Sequence, residues 1–451
     1  MRLTLIFPAI GRRRGEPYLR LWKMEPLSMA VLAALTPPDV EIRFYDDRVE
    51  AIPFDETTDL VAMTVETYTA RRAYQIASEY RKRRVPVVMG GFHASLCAEE
   101  TARYAEAVVV GEAEGLWPQL LDDFRHGTLQ KFYRQPARPQ LNGLLPRREI
   151  FRGKRYLPLG LVEAGRGCVH ACEFCSIQSL YGGSHAPRSL DTILAEMHNL
   201  RGRHRQFFFV DDNLTAHAAS AKEFLRALLP LGIRWISQMS VTAAHDEELV
   251  ELLRRSGCAG VLIGFESLDP QNLSAMRKDF NARAGDYERA IANLQRHGIG
   301  IFGTFVFGYD GDTAGSIREA SRFAQRQGFY LAAFNHLVPF PGTPVYERLA
   351  AEDRLQPRQW WLDPQYRFNQ VAFRPAQMSA EELRRECLAA RRAFYSTGSA
   401  WQRWRRLARG LNPSGHVLFW ALNLMHRAEV RRRDGFPLGD ESWQGQLLLA
   451  E

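Results

Sequence analysis

Three cysteines crowd into the segment GRGCVHACEFCSIQ, and their spacing poses the first chemical question. Cys168, Cys172 and Cys175 follow the pattern C-x3-C-x2-C. Three thiolates on one loop can ligate three irons of a four-iron cluster, leaving the fourth iron open to an exogenous ligand. A structural zinc ion normally takes four protein ligands, and His170 or His185 would have to complete that set. The other cysteines, Cys97, Cys258 and Cys387, are scattered through 451 residues. This distribution reads as a metal site in a reducing cytosol, not as a disulfide scaffold.

The cysteines stand directly after LVEA, the first of a series of strand and helix signals. Strands are expected at LVEA, QFFFVDD, IRWISQMS, GVLIGFES, IGIFGTFVFG and FYLAAFNHLV, with helical patterns such as DTILAEMHNL and SIREASRFAQRQG between them. Six such units in about 180 residues predict a partial (β/α)6 barrel with its chemistry at the C-terminal ends of the strands. That setting favours the cluster over zinc.

A second alternation lies upstream. RLTLIFPA, EIRFYDD, DLVAMTV, VPVVMGG and AVVVGE, with helical patterns between them, predict an α/β domain at residues 1–130 built on a doubly wound parallel sheet. Ligands of such sheets sit at the carboxyl ends of the strands. GGFHAS and VVVGEAE place glycines at two of those ends, where either a tight turn or close backbone approach to a bulky ligand calls for them. Residues 131–160, rich in Pro, Arg and Gly, read as a linker to the core domain at 161–345. Residues 346–451 read as a mostly helical C-terminal domain, with Ser379 and Glu382 forming a capping box before EELRRECLAARRAFY.

The chain is 46% hydrophobic and 24% charged, an ordinary globular composition. The N-terminal apolar run is followed by charge and lacks a small-residue cleavage site, so it reads as a strand and not a signal peptide. The apolar stretch from Val417 through Ala421 to Met425 is about half of what a bilayer needs. A soluble cytoplasmic protein is therefore expected, at most peripheral at the inner membrane face. Net charge is +8, and Trp401–Arg433 holds eight arginines and a single acid, Glu429. A solvated basic surface, an anionic membrane surface and an anionic substrate all fit that stretch; its interleaved apolar run fits lipid better than nucleic acid, which is not expected as a partner.

The cysteine motif in this setting resembles the radical S-adenosylmethionine superfamily. GGxHxS followed by VxGExE, upstream of the motif, is similar to the cobalamin-binding, methyltransferase-like branch, over about residues 1–345. The resemblance implies three cofactors: a [4Fe–4S] cluster, S-adenosylmethionine and cobalamin. It implies S-adenosylmethionine contacts from Phe174, from Asp211, Asp212 and Asn213, from Glu266 and Ser267, and from Gly303 and Gly308. The acids also suit helix caps. For cobalamin it implies a flavodoxin-like sheet and points to Ser28, Thr64, Thr67, Gly90, Gly91, His93, Ser95, Gly111 and Glu112. The DxHxxG segment that supplies a lower axial histidine is absent, since Asp46–Asp47–Arg48 carries none. Cobalamin bound without a protein histidine on cobalt is the expectation.

The function so implied is radical methylation of an unactivated carbon on a small-molecule substrate, with an external flavodoxin- or ferredoxin-type reductant. A cyclase or oxidase of tetrapyrrole or lipid type is the alternative with the same cofactors, and a cobalamin or redox sensor the alternative of another class. Tyr309, His336 and Tyr346 are candidate pocket residues, and Trp401, Trp404 and Trp420 point towards an apolar or membrane-associated substrate.

Overall fold

Strands of a parallel sheet are covered on both faces and so read as near-continuous apolar runs; two such sheets of six strands organise this chain. The computed structural model describes residues 1–15, 23–135, 137–283, 285–411 and 413–450. The first sheet contains β1 (Arg2–Phe7), β2 (Glu41–Asp46), β3 (Leu60–Thr64), β4 (Val87–Gly90), β5 (Ala107–Val110) and β6 (Phe132–Arg134). Its order is β2-β1-β3-β4-β5-β6, all parallel. The order reverses at β1, which makes the sheet doubly wound in the flavodoxin manner. Five strands are expected from the sequence; the sixth comes from the stretch read as linker. Three residues, Phe-Tyr-Arg, are too few to show a period, and only pairing with Val108–Val110 reveals them.

The second sheet contains β7 (Gly160–Val162), β8 (Gln206–Phe209), β9 (Arg234–Gln238), β10 (Cys258–Glu266), β11 (Gly300–Phe307) and β12 (Leu331–His336). Neighbours follow chain order from β7 to β12 without closure, so this is the expected partial barrel. Alternate strand residues behave differently. Trp235, Phe265, Phe305 and Phe334 are buried beneath the outer helices, whereas their neighbours Ile236, Phe302, Thr304 and Val306 are more exposed and face the lumen.

The C-terminal region is helical as expected, with helices at Ala380–Phe394, Thr397–Leu407 and Pro413–Arg433, and its core residues among those described join the cores of the other two parts. Trp360, Trp361 and Tyr366 join the core beside the first sheet, while Leu383, Phe394 and Tyr395 join that of the barrel. Ser379 accepts from the Glu382 N–H at 3.1 Å, which gives the expected cap one of its two bonds. The tail then returns to the N-terminal domain. Gly439–Asp440 pairs with Gly11–Arg12, and the Leu448 N–H donates to Ser78 Oγ at 2.9 Å. Among the described residues, no helix is long and apolar enough to cross a membrane.

Candidate cluster and cofactor site

The cysteine loop leaves the barrel after β7. A short antiparallel pair, Gly165–Gly167 with His185–Pro187, braces its start, and Cys175 stands at the N-terminus of the helix Ser176–Tyr181. All three cysteines are free thiols. Asp211 accepts from the Ala164 N–H at 2.9 Å and Asp212 from the Gly167 N–H at 2.8 Å. On the other flank the Glu173 N–H donates to Met276 O, and the Glu173 carbonyl accepts from the Val345 N–H. The Glu173 carboxylate accepts from Arg348 at 2.9 Å. The loop is therefore pinned from the end of β8 and from the helix Pro344–Ala351.

Burial pushes the Cys172 thiol up to about 12. Burial also raises Cys175, against the opposing N–H groups of Gln178 and Ile177 in the first turn of the helix. Such thiols stay protonated until a metal displaces the proton. No three His, Cys, Asp or Glu side chains among the described residues converge on one ion-sized point. Ligands of a cluster bind separate irons and need no such convergence. Three free thiols on a braced loop fit that role.

Beside them lies a buried ion pair, Lys278 Nζ to Glu266 Oε1 at 2.9 Å. Burial alone would lower the Lys278 pKa, but Glu266 and then Cys172 more than offset it, so the ammonium is held charged. Glu266 adopts φ 63 at a register shift of β10, an unfavourable backbone that typically costs about 1–3 kcal/mol and clusters at functional sites. Gly264 makes the pair possible: a Cβ there would lie 2.1 Å from Glu266 Oε1 and 2.8 Å from Lys278 Nζ.

Asn213 Nδ2 donates to Ser240 Oγ at 2.9 Å and stands 3.8 Å from Cys168 Sγ. His170 shares Ser240, at 3.2 Å, and stacks on Phe280 with ring centroids 3.6 Å apart. Phe174 is half-buried against the barrel core. The structure thus gathers Phe174, Asn213 and Glu266 around the cysteines, while Asp211 and Asp212 hold the loop through its backbone. Burial raises the carboxyl of Asp211 to about 8. Ser267 Oγ accepts from the Asp269 N–H at 3.1 Å in a local turn. Gly303 and Gly308 face packing partners, since a Cβ would meet Phe329 at 2.2 Å or Phe373 at 2.7 Å. Tyr309 and His336 are buried near the strand ends. Sequence reasoning missed Lys278 and Ser240, because neither belongs to a motif and only the fold brings them to the cysteines.

At the carboxyl end of the first sheet, the glycine loops form a knot. A Cβ on Gly91 would meet Thr64 Oγ1 at 2.7 Å. Ser95 Oγ donates to Gly91 O at 2.8 Å and accepts from the Gly111 N–H at 2.9 Å. His93 is fully buried, its Nδ1 3.3 Å from Thr67 Oγ1 and its Nε2 3.1 Å from Glu100 Oε1. Both ring nitrogens are engaged, which leaves none for a metal. Asp46 is paired with Arg48 and Asp47 with Arg72, each at 2.7 Å. Gly90 ends β4 beside the knot, with Val109 at contact distance. Gly111, at φ +92, faces no atom within 4 Å of a built Cβ; there the backbone borders open space. Ser28 is exposed on another element, the helix Leu27–Leu35.

The two ends face each other. Phe92, opening the helix after β4, meets Tyr181 of the cysteine helix edge to face at 6.2 Å. Arg166, two residues before Cys168, pairs with Glu114 at 2.8 Å, Glu163 at 2.9 Å and Glu112 at 3.2 Å. Glu112, one of the residues expected at cobalamin, also pairs with Arg138 at 2.9 Å. A cleft of about 700 Å³ opens elsewhere, between Cys97, Glu99 and Arg134 on one side and Pro341, Gly342 and Arg358 on the other. Cys168, Cys172 and Cys175 do not line it, so the chemistry is placed by the side chains and not by this volume.

A loop of three free thiols at the strand ends of an open β/α barrel, facing the strand ends of a doubly wound sheet, has the donor set of an iron–sulfur protein. A family model described as the radical SAM superfamily matches residues 162–324. Bacteriochlorophyllide d C-12(1)-methyltransferase of Chlorobaculum tepidum is 31% identical over 386 residues, 83% of each chain. Bacteriochlorophyllide d C-8(2)-methyltransferase of the same organism is 30% identical over 354 residues, 74% of this chain and 78% of that one. The chain belongs to the radical S-adenosylmethionine superfamily. Its fold also matches the radical S-adenosylmethionine methyltransferase TsrM from Kitasatospora setae, solved with cobalamin and [4Fe–4S] cluster bound, at a TM-score of 0.63 and 19% identity over 92% of this chain and 90% of that one. The expected superfamily and fold class are borne out, and this is an enzyme.

Proposed function

We propose that the chain is a cobalamin-dependent radical S-adenosylmethionine methyltransferase that methylates an unactivated carbon of a hydrophobic small molecule, a tetrapyrrole first among them. The observation that carries the reading is the apposition of the two strand ends, in which the cysteine helix and the short helix Phe92–Leu96 begun within GGFHAS touch through Tyr181 and Phe92. The cluster and S-adenosylmethionine supply a radical, and cobalamin supplies the methyl group. Cys168, Cys172 and Cys175 would hold the cluster, with Asp211 and Asp212 fixing their loop. Phe174, Asn213 and Glu266, gathered beside the cysteines, would orient S-adenosylmethionine. Gly111 and the knot of Thr64, Gly91 and Ser95 would let cobalamin approach the backbone of the first sheet. His93, engaged by Thr67 and Glu100, would offer cobalt no ring nitrogen.

By strand alternation Phe208, Ile236, Leu262, Phe302 and Val306 fall on the less buried side of the second sheet, together with the polar Arg234, Gln238, Thr304 and Asn335. Both bacteriochlorophyllide methyltransferases named above are relatives along most of the chain, which favours methyl transfer over cyclisation. An external flavodoxin- or ferredoxin-type reductant, a cytoplasmic location and peripheral membrane association complete the reading. The test is anaerobic turnover of reconstituted enzyme with tetrapyrrole substrates and a methyl-labelled donor. A product heavier by one CH2 that carries the label is expected; 5′-deoxyadenosine without labelled product would favour the cyclase instead.

A further inference from the structure

The C-terminal helix Pro413–Arg433 is amphipathic in an inverted sense. Phe419 and Asn423 are buried on its inner side, and Arg403 reaches up to Asn423 Oδ1 at 2.8 Å. Its outer face carries Val417 (71% exposed), Leu418 (48%) and Leu424 (52%), with Ala421 and Ala428 exposed between and beyond them. The adjoining helix Thr397–Leu407, joined to it by the Trp404–Trp420 contact, exposes Trp401 (48%) beneath the Arg405 guanidinium. Contiguous apolar surface of this kind marks an interaction site.

Charge identifies the occupant. Arg405, Arg406 and Arg427 are exposed around the apolar face, and the sequence adds Arg431, Arg432 and Arg433 at the end of the helix. The single acid of the stretch, Glu429, is buried on the inner side. An apolar strip bordered by arginines, with no exposed carboxylate among the described residues of this stretch, suits a surface whose interior is hydrocarbon and whose rim is anionic. A long arginine side chain can lay its stem on the apolar layer and keep its head among phosphates.

We propose that this face docks on an anionic lipid surface, with Val417, Leu418, Leu424 and Trp401 entering the headgroup boundary and Arg405 and Arg427 pairing with lipid phosphates. The inference rests on the peripheral association proposed above and not on methyl transfer, so membrane binding and chemistry are read separately. The full chain, with its cluster reconstituted anaerobically, is sedimented with phosphatidylcholine vesicles with and without phosphatidylglycerol. Retention on the anionic vesicles that weakens with added salt is expected. Val417→Ser with Leu424→Ser should lower the partition by about tenfold or more, and Arg405→Gln with Arg427→Gln should remove the preference for phosphatidylglycerol. Melting temperature and the rate of S-adenosylmethionine cleavage should match wild type in both, showing that the fold and the chemistry remain. Wild type that stays in the supernatant, or that binds both vesicle types equally, overturns the proposal. A dimer in gel filtration that Val417→Ser with Leu424→Ser dissolves would assign the face to a second copy of the chain, and overturns it as well.

Discussion

The two strand ends that meet in this molecule are built on opposite principles. At the barrel, the loop offers side chains: three thiols stand free while their neighbours hold the backbone in place. At the first sheet, the polar side chains serve one another. His93 is engaged by Thr67 and Glu100, and Ser95 bridges Gly91 and Gly111. What that end offers is empty space above a glycine backbone. A cluster needs strong donors at defined places, whereas a large organic cofactor is held by a shaped surface with few polar contacts. Under the proposed function, one end would bind by ligation and the other by shape.

The largest effects would break this contrast outright. Alanine at Cys168, Cys172 or Cys175 should abolish the visible charge-transfer absorbance of the reconstituted protein, and turnover with it, while cobalamin still binds. Gly111→Ala should do the reverse. Its methyl group enters the open space and strains the backbone by about 1–2 kcal/mol, so cobalamin affinity should fall about tenfold, a difference of about 1.4 kcal/mol, while cluster absorbance is unchanged. Equilibrium dialysis with cobalamin beside an absorbance spectrum checks both. If either variant loses both cofactors, the two ends are one site and the contrast fails.

A smaller effect tests how the barrel end tolerates charge. Lys278→Met leaves Glu266 buried without its partner, and breaking a buried pair in this way costs about 3–5 kcal/mol. Removing both charges, as Lys278→Met with Glu266→Gln, should recover most of that loss in thermal denaturation of the apoprotein. A double variant no more stable than the single one would show that packing, and not the unpaired carboxylate, sets the cost.

How much of this was legible in the sequence follows from the same contrast. Cys168, Cys172 and Cys175 announce themselves because ligation demands a residue type at a fixed spacing, and the barrel strands announce themselves as short apolar runs set between helical patterns. Shape leaves a weaker trace. GGFHAS and VVVGEAE mark where glycines are needed, yet the fates of His93 and Glu112, held by Glu100 and by Arg138 and Arg166, depend on residues 7 to 54 positions away. Lys278 lies outside every motif and reaches the cysteines only when β10 and the loop after it fold back. The strand β6 is hidden because three residues carry no period, and the dispersal of the C-terminal region over two cores is hidden because a helix does not state its partner.

The smallest effect concerns Asp211, which holds the cysteine loop by accepting from the Ala164 N–H while lying wholly buried. Burial raises its pKa from 3.8 to about 8, so the folded apoprotein keeps a proton there that the unfolded chain releases. Between those two values the native state binds more protons than the unfolded state, so stability falls as pH rises from near 4 towards 8. Asp211→Asn keeps an oxygen to accept the N–H and carries no charge at any pH. The variant should match wild type in mild acid and melt a few degrees higher at about pH 9, where wild type must bury a carboxylate or break the bond. Parallel melting curves across that range would mean that Asp211 is ionised in place, stabilised by its backbone donors, and that the barrel end holds its loop by charge as well as by hydrogen bonding.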